Sequence, residues 1–232
     1  MLLGDSVLHL ASSGVRTHSQ SMLPMVQQLL QQAGIGLKDC AAIAYGCGPG
    51  SFTGVRTACG IAQGLAFGAA LPVVPVVTLA AMALACRQRS GADEAANEAA
   101  NEVATAVTTD VLAVLDARMG EVYWAHYAVD AGGGCQILVA PTLSAPAEVR
   151  LSGAMVAGGN GLAAYPDAFE GWACAMRPDI MPHAIEIGQL ARIAFRAGAV
   201  LSAAQAQPLY LRNKIAYTSA ERQAMRAAQD GS

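Results

Sequence analysis

Aromatic residues make up only 5% of this 232-residue chain and charged residues only 13%, with a formal net charge of −3 at pH 7. That balance excludes a global electrostatic pull toward nucleic acid, and no basic–aromatic stripe marks a free-standing RNA binder. The six cysteines (40, 47, 59, 86, 135 and 174) form no CxxC pair. Their scatter points to reduced, mostly buried thiols and to the cytoplasm. No histidine has a histidine or cysteine neighbour at ligand spacing. His18 stands four residues from Gly14 and four from Met22, so it is read as a capping or surface residue and no metal site is expected. The N-terminus has neither a basic n-region nor a clear cleavage site, so no signal peptide is expected. The longest charge-free run, between Arg56 and Arg87, is broken by Pro72 and Pro75 and studded with glycine. It reads as helix–strand–helix in a buried core, not as a membrane hairpin.

What is abundant is apolar residues, at 54%, and glycine, at 24 residues. The informative stretch is Tyr45 to Gly68, YGCGPGSFTGVRTACGIAQGLAFG. An apolar segment, AAIAY, precedes it and LPVVPVV follows. The order strand, glycine turn, helix, strand is that of an α/β layer protein. The turn residues Gly48, Pro49, Gly50, Ser51, Phe52, Thr53, Gly54 and Arg56 invite a phosphate-site reading. The known spacings fail. No lysine follows Gly54 as a Walker loop needs, and the nucleophile-elbow positions around Ser51 hold Pro49 and Thr53. The third glycine of G-x-G-x-x-G falls on Ser51 or Thr53. The competing reading is a tight connection in which Pro49 stiffens the chain, glycines supply positive φ, and Ser51 or Thr53 caps the helix. The residues alone leave both open. Along the helix, Gly60, Gly64 and Gly68 recur every four residues, as do Gly54, Ala58, Ala62 and Ala66. Both rows are expected on one broad side, opposite Arg56, Gln63 and Phe67. Each mid-helix glycine costs about 1 kcal/mol against alanine, so something is expected to pack close to this backbone.

The rest of the chain supplies a first helix over 17–34, capped by Thr17 or Ser19 and stopped by Gly34. Its apolar face spans roughly 160° of the wheel, wide enough for a core contact plus an adjoining partner contact. A hairpin turning at Gly4–Asp5 lies before it. After it come a helix following VVPVV capped by Thr78, and an Ala/Glu-rich stretch with EAAN twice, read as a solvated helical extension or disordered insert. Strands VLAVLD and EVYWAHY meet at a turn at Met119–Gly120, with a hairpin tip at 132–134, a strand and glycine turn at 153–161, and an amphipathic helix over 184–198. Asp116, Arg118 and Glu121 are the concentrated charges here. They read either as a catalytic or metal carboxylate with neighbours, or as a turn held by Asp–Arg pairing. Arg212, Lys214 and Arg222 form a weakly basic cluster, read as a solvated tail, with contact to tRNA phosphates as the alternative.

GPGSFTGVR, GIAQGLA, DARMGEVYW and PLYLRN together resemble the TsaB (YeaZ) family over about residues 1–86 and 111–215. The resemblance implies an actin/Hsp70-like (ASKHA) α/β fold of two ribonuclease-H-like subdomains. These would be 1–86 and 111–206, with an insert or linker at 87–110 and a tail at 207–232. The family's first strand, I-L-x-I-D-T, is missing from the sequence as given, which suggests a start upstream of Met1. At Ala58 the family tends to have glycine. The resemblance further implies a non-catalytic partner of the transferase TsaD in threonylcarbamoylation of adenosine 37 of tRNAs reading codons that begin with adenine. The ATPase TsaE would bind the assembled pair, a homodimer is a further partner state, and tRNA would be met only through the complex. No cofactor is expected beyond a nucleotide at the partner interface. The face expected to meet TsaD comprises Met22, Met25, Val26 and Leu29 of the first helix. From the second it takes Gly54, Ala58, Gly60, Ile61, Ala62, Gly64, Leu65 and Gly68. The alternative is an enzyme of the same fold, a glycoprotease-like peptidase or nucleotide hydrolase. It lacks a complete constellation: Ser51 has no evident His and Asp, and the strand that carries the acid of such hydrolases is the missing one.

Overall fold

The computed structural model describes residues 1–12, 18–97, 108–150 and 153–212. The mixed α/β class expected from the sequence is what the chain forms, around two main sheets. In the first, β3 (Ile43–Gly48) pairs in parallel with β4 (Val73–Val77), and α2 (Phe52–Ala69) makes the crossover between them. In the second, the spatial order is β7-β6-β5-β8-β9. β5 (Thr109–Arg118), β6 (Glu121–Val129) and β7 (Cys135–Ser144) form an antiparallel meander. β8 (Val156–Gly158) and β9 (Ala175–Arg177) extend it in parallel. A small hairpin of β1 (Leu2–Leu3) and β2 (Ser6–Val7) turns at Gly4–Asp5 as expected. The first helix, α1, runs His18–Ala33. Of its expected caps, Ser19 falls within the helix, while Thr17 and the side chains of His18 and Ser19 lie outside what is described.

β5 reads as a continuous apolar run because both its faces are buried. Val111, Ala113 and Leu115 pack on α3 (Thr78–Asn97), whose Leu79, Met82, Ala83 and Cys86 face them. The alternate residues Leu112 and Val114 pack on the other side with Leu162 of α4 (Asn160–Ala164) and Phe169 of α5 (Pro166–Phe169). That is the period-two arrangement a strand requires. Two helices pack across the subdomain boundaries expected from the sequence. α3 runs through the expected 86/87 boundary and serves the second sheet. α6 (Ala184–Arg196) packs its Ile187 and Ala191 on Val74 and Val76 of the first. The two helices therefore bridge the two sheets. The second half of the Ala/Glu-rich stretch, 98–107, lies outside the described residues. Thr78 does not cap α3. It is the helix's first residue, is buried, and its hydroxyl donates to the carbonyl of Pro49.

His126 of β6 is buried with its Nε2 unpartnered, 3.9 Å from Asp110 Oδ2. Burial lowers its pKa from the ordinary 6.5, and the Asp110 charge only partly opposes this. Folding therefore favours the neutral ring. Its contribution to stability is complete above about pH 6.5 and is lost as pH falls from there toward the lowered value, because the unfolded chain then binds the proton more readily. The urea midpoint is expected to drop between pH 7 and pH 5.5, and the drop to shrink in His126→Gln.

Candidate partner interface

The glycine loop between β3 and α2 is packed by protein at Gly48 and lines an open cleft at Pro49, Gly50 and Ser51. Gly48 has φ 116° and forms a cis peptide bond with Pro49. A Cβ there would lie 2.9 Å from the carbonyl oxygen of Leu209, whose N–H donates to Cys47 O at 2.7 Å. A Cβ on Gly46 would press on Thr78 and Ile187, and one on Gly50 on Val55. The space an anion would need over Gly48 is held by a carbonyl oxygen, which repels anions, so the connection reading is the one the structure supports. Ser51 is the N-cap of α2: its Oγ accepts from Gly54 N at 3.1 Å. Ser51→Ala is expected to cost about 1 kcal/mol in equilibrium unfolding without altering the fold.

α2 does not present its two small-residue rows on one side. Val55, Cys59, Ala62 and Ala66 are the buried face, packed on Tyr45, Cys47 and Val73. Ala62 is 3% exposed, so the expectation that it meets a partner is corrected: the residue belongs to the core. Gly60, Gly64 and Gly68 face the opposite way, exposed, with nothing within 4 Å of where a Cβ would stand. Phe67, 80% exposed, flanks them. The reason is angular. At 100° per residue the glycine row lies more than 90° from the Ala62–Ala66 row, too far for one surface to cover both. Gly54, Ala58, Ile61 and Leu65 lie on the third side, half-buried along a cleft of about 1400 Å³. The cleft is bounded by the β1–β2 hairpin, α1, β3, the glycine loop, α2 and α6, and it reaches the β5–β6 turn and residues 209–212. Among the described residues, the β3 edge away from β4 has no strand partner. Met22, Met25, Val26 and Leu29 of α1 are also half-buried and line this cleft. Leu23, at 46% exposed, is the large apolar side chain α1 turns outward.

The second charged motif holds a turn. The Asp116 carboxylate accepts from Arg118 N at 2.8 Å and from Tyr165 OH at 3.1 Å, and pairs with the Arg118 guanidinium at 3.1 Å. Burial, then the bond to Asp116, pushes the Tyr165 pKa up. Arg118 and Met119 have φ near +60° at the tip of the β5–β6 hairpin. Glu121 is bonded by Arg212, which also donates to Arg118 O. The reading of Arg212 as part of a solvated tail is thus corrected; Lys214 and Arg222 lie outside the described residues. Gln207–Arg212 is a strap. Tyr45 OH donates to Gln207 O and accepts from Gln207 N, and burial pushes this phenol up to about 12. Tyr210 lies beside Phe52 with the rings tilted by 38°, and its OH accepts from Arg56 Nε at 2.6 Å. The guanidinium of Arg56 lies 3.6 Å over the Phe52 ring. The roles of Tyr45 and Tyr210 were not legible in the sequence, because their partners lie more than 150 residues away. Tyr45→Phe is expected to lower stability by about 1–2 kcal/mol, since it strands both backbone groups of Gln207. Among the described residues no group of three His, Cys, Asp or Glu is placed to hold a metal ion, and no helix is long and apolar enough to cross a membrane.

The model of the TsaD family, tRNA N6-adenosine threonylcarbamoyltransferase, matches residues 8–214. The tRNA threonylcarbamoyladenosine biosynthesis protein TsaB of Escherichia coli (strain K12) is 40% identical over 209 residues, 87% of this chain and 84% of that protein. The chain belongs to the TsaB (YeaZ) family. TsaB of Haemophilus influenzae is 34% identical over 90% of this chain and 86% of its own length. Two solved structures from Pseudomonas aeruginosa share 35% identity with this chain and superpose with a TM-score of 0.73. One is described as YeaZ, covering 84% of this chain and 85% of its own. The other is described as an uncharacterized protein with similarity to peptidase YEAZ, covering 85% of each. The actin/Hsp70-like fold expected from the TsaB resemblance is thereby supported by both family and structure.

Proposed function

We propose that this chain is the non-catalytic partner of a TsaD-type transferase, required for threonylcarbamoylation of adenosine 37 in tRNAs reading codons that begin with adenine. The observation that carries the reading is the outward face of α2, where Gly60, Gly64 and Gly68 leave the helix backbone bare beside an exposed Phe67. Glycines unused by the chain's own packing cost helix stability and allow another helix to approach closely. The scaffold role is further supported by what the reactive side chains do. The Ser51 hydroxyl caps α2, and the Asp116 carboxylate holds a turn through Arg118 and Tyr165. The partner set extends to a TsaE-type ATPase on the assembled pair. A homodimer forms through the same α2 face when TsaD is absent, and a nucleotide is held at the interface of the two proteins, not by this chain alone. The setting is the cytoplasm.

The test is size-exclusion chromatography with light scattering of this chain mixed with the TsaD of the same organism. Mass spectrometry of the modified nucleoside in a reaction containing tRNA, ATP, threonine and bicarbonate accompanies it. A one-to-one complex, with modification only when both proteins are present, supports the reading. No complex, or modification by TsaD alone at the same rate, overturns it.

A further inference from the structure

We infer that Arg56 is the polar anchor of this face and that it takes a carboxylate from the docked partner protein. The inference rests on the partner reading above. Arg56 is the only charged residue of α2 and stands one turn before the bare Gly60. It is exposed, and among the described residues it has no acidic partner. The acids of the second charged motif are engaged with other arginines: Asp116 with Arg118, and Glu121 with Arg212. The guanidinium is nonetheless fixed. The Phe52 ring centroid lies 3.6 Å from it, and its Nε is used by Tyr210 OH. That leaves the terminal fork, which matches a carboxylate in two parallel hydrogen bonds, as the free edge. A partner that closes over Gly60 and Gly64 takes Arg56 out of water. An arginine buried without a counter-charge is strongly unfavourable, so a surface fitted to this face supplies an acid there. Fixing the guanidinium beforehand removes much of the ordering cost of binding, as expected of an arginine hot spot flanked by aromatic rims.

The experiment measures the affinity of this chain for TsaD by calorimetry at two salt concentrations, for wild type and for Arg56→Ala, Arg56→Lys, Tyr210→Phe and Gly64→Arg, each with its thermal midpoint. Arg56→Ala is expected to weaken binding about 30-fold or more and to flatten its salt dependence. Arg56→Lys is expected to recover little, since it lacks the fork, and Tyr210→Phe to weaken binding several-fold through loss of orientation. A merely structural strut would move the thermal midpoint and leave the salt dependence as in wild type, which overturns the inference. Arg56→Ala within twofold of wild type while Gly64→Arg abolishes binding also overturns it, leaving the partner reading intact. Failure of wild type to bind sinks both. Fluorescence anisotropy with an unmodified tRNA transcript supplies the last arm. If Arg56→Ala weakens tRNA binding and spares TsaD, the fork reads phosphate and the inference fails.

Discussion

Gly159→Ala is expected to destabilise the fold by about 4 kcal/mol or more. Gly159 sits at the start of α4 with φ 121°, a conformation L residues rarely adopt. A Cβ there would stand 2.1 Å from the carbonyl oxygen of Val114 in β5 and 2.4 Å from Cε of Met82 in α3. Met82 is a flexible end and could give way. Val114 cannot, because its strand is hydrogen-bonded to β6 on one side and its side chain is fully buried. The strain is therefore relieved only by moving β5, α3 and α4 apart where the second sheet's two cores meet. Small domains hold only about 5–15 kcal/mol in total, so this single methyl removes a large part of it. Gly153→Ala is the control. Gly153 also has positive φ, at 71°, but its added Cβ would meet nothing within 4 Å, so its cost is the backbone term alone, about 1 kcal/mol. Urea unfolding of both variants measures the difference. Gly159→Ala within about 1 kcal/mol of wild type would show that β5 yields more easily than its packing implies.

That position marks where sequence reading reached and where it stopped. GGNG at 158–161 was legible as a strand-ending turn, because glycine clusters after an apolar run have few other uses. Its role as the crossing point of α3 and β5 was not legible, because those contacts join residues more than 40 apart. The β5 strand, the Met119–Gly120 turn and the Ser51 cap were readable for the same local reason. The faces of α2 were not. A four-residue repeat of small residues says that something packs closely, but two such repeats offset by two residues point in different directions. Only the sheet's position decides which row, alanine or glycine, is the core. The orientation of the α1 face was not legible either: Met22, Met25, Val26 and Leu29 line the cleft beside α2, and Leu23 is the side chain turned outward.

Gly64→Arg is expected to leave the chain folded, slightly more stable, and unable to bind TsaD, with affinity lowered at least about 100-fold. The three parts of that expectation have separate physical origins. Folding survives because a Cβ at Gly64 meets nothing within 4 Å and the side chain leaves toward solvent. Stability rises by up to about 1 kcal/mol because arginine is a far better helix former than glycine. Binding is lost because the long side chain occupies the space in which a second helix would touch the bare backbone, and 100-fold corresponds to about 2.7 kcal/mol. Ala62→Arg, two residues earlier on the same helix, separates the faces. Ala62 is buried against Tyr45 and Cys47, so an arginine there leaves an unpaired charge in the core and is expected to unfold the chain. Thermal unfolding and light scattering of the two variants with TsaD give the comparison. A Gly64→Arg chain that folds and binds as wild type would remove the outward glycine row from the interface and with it the observation on which the partner reading rests.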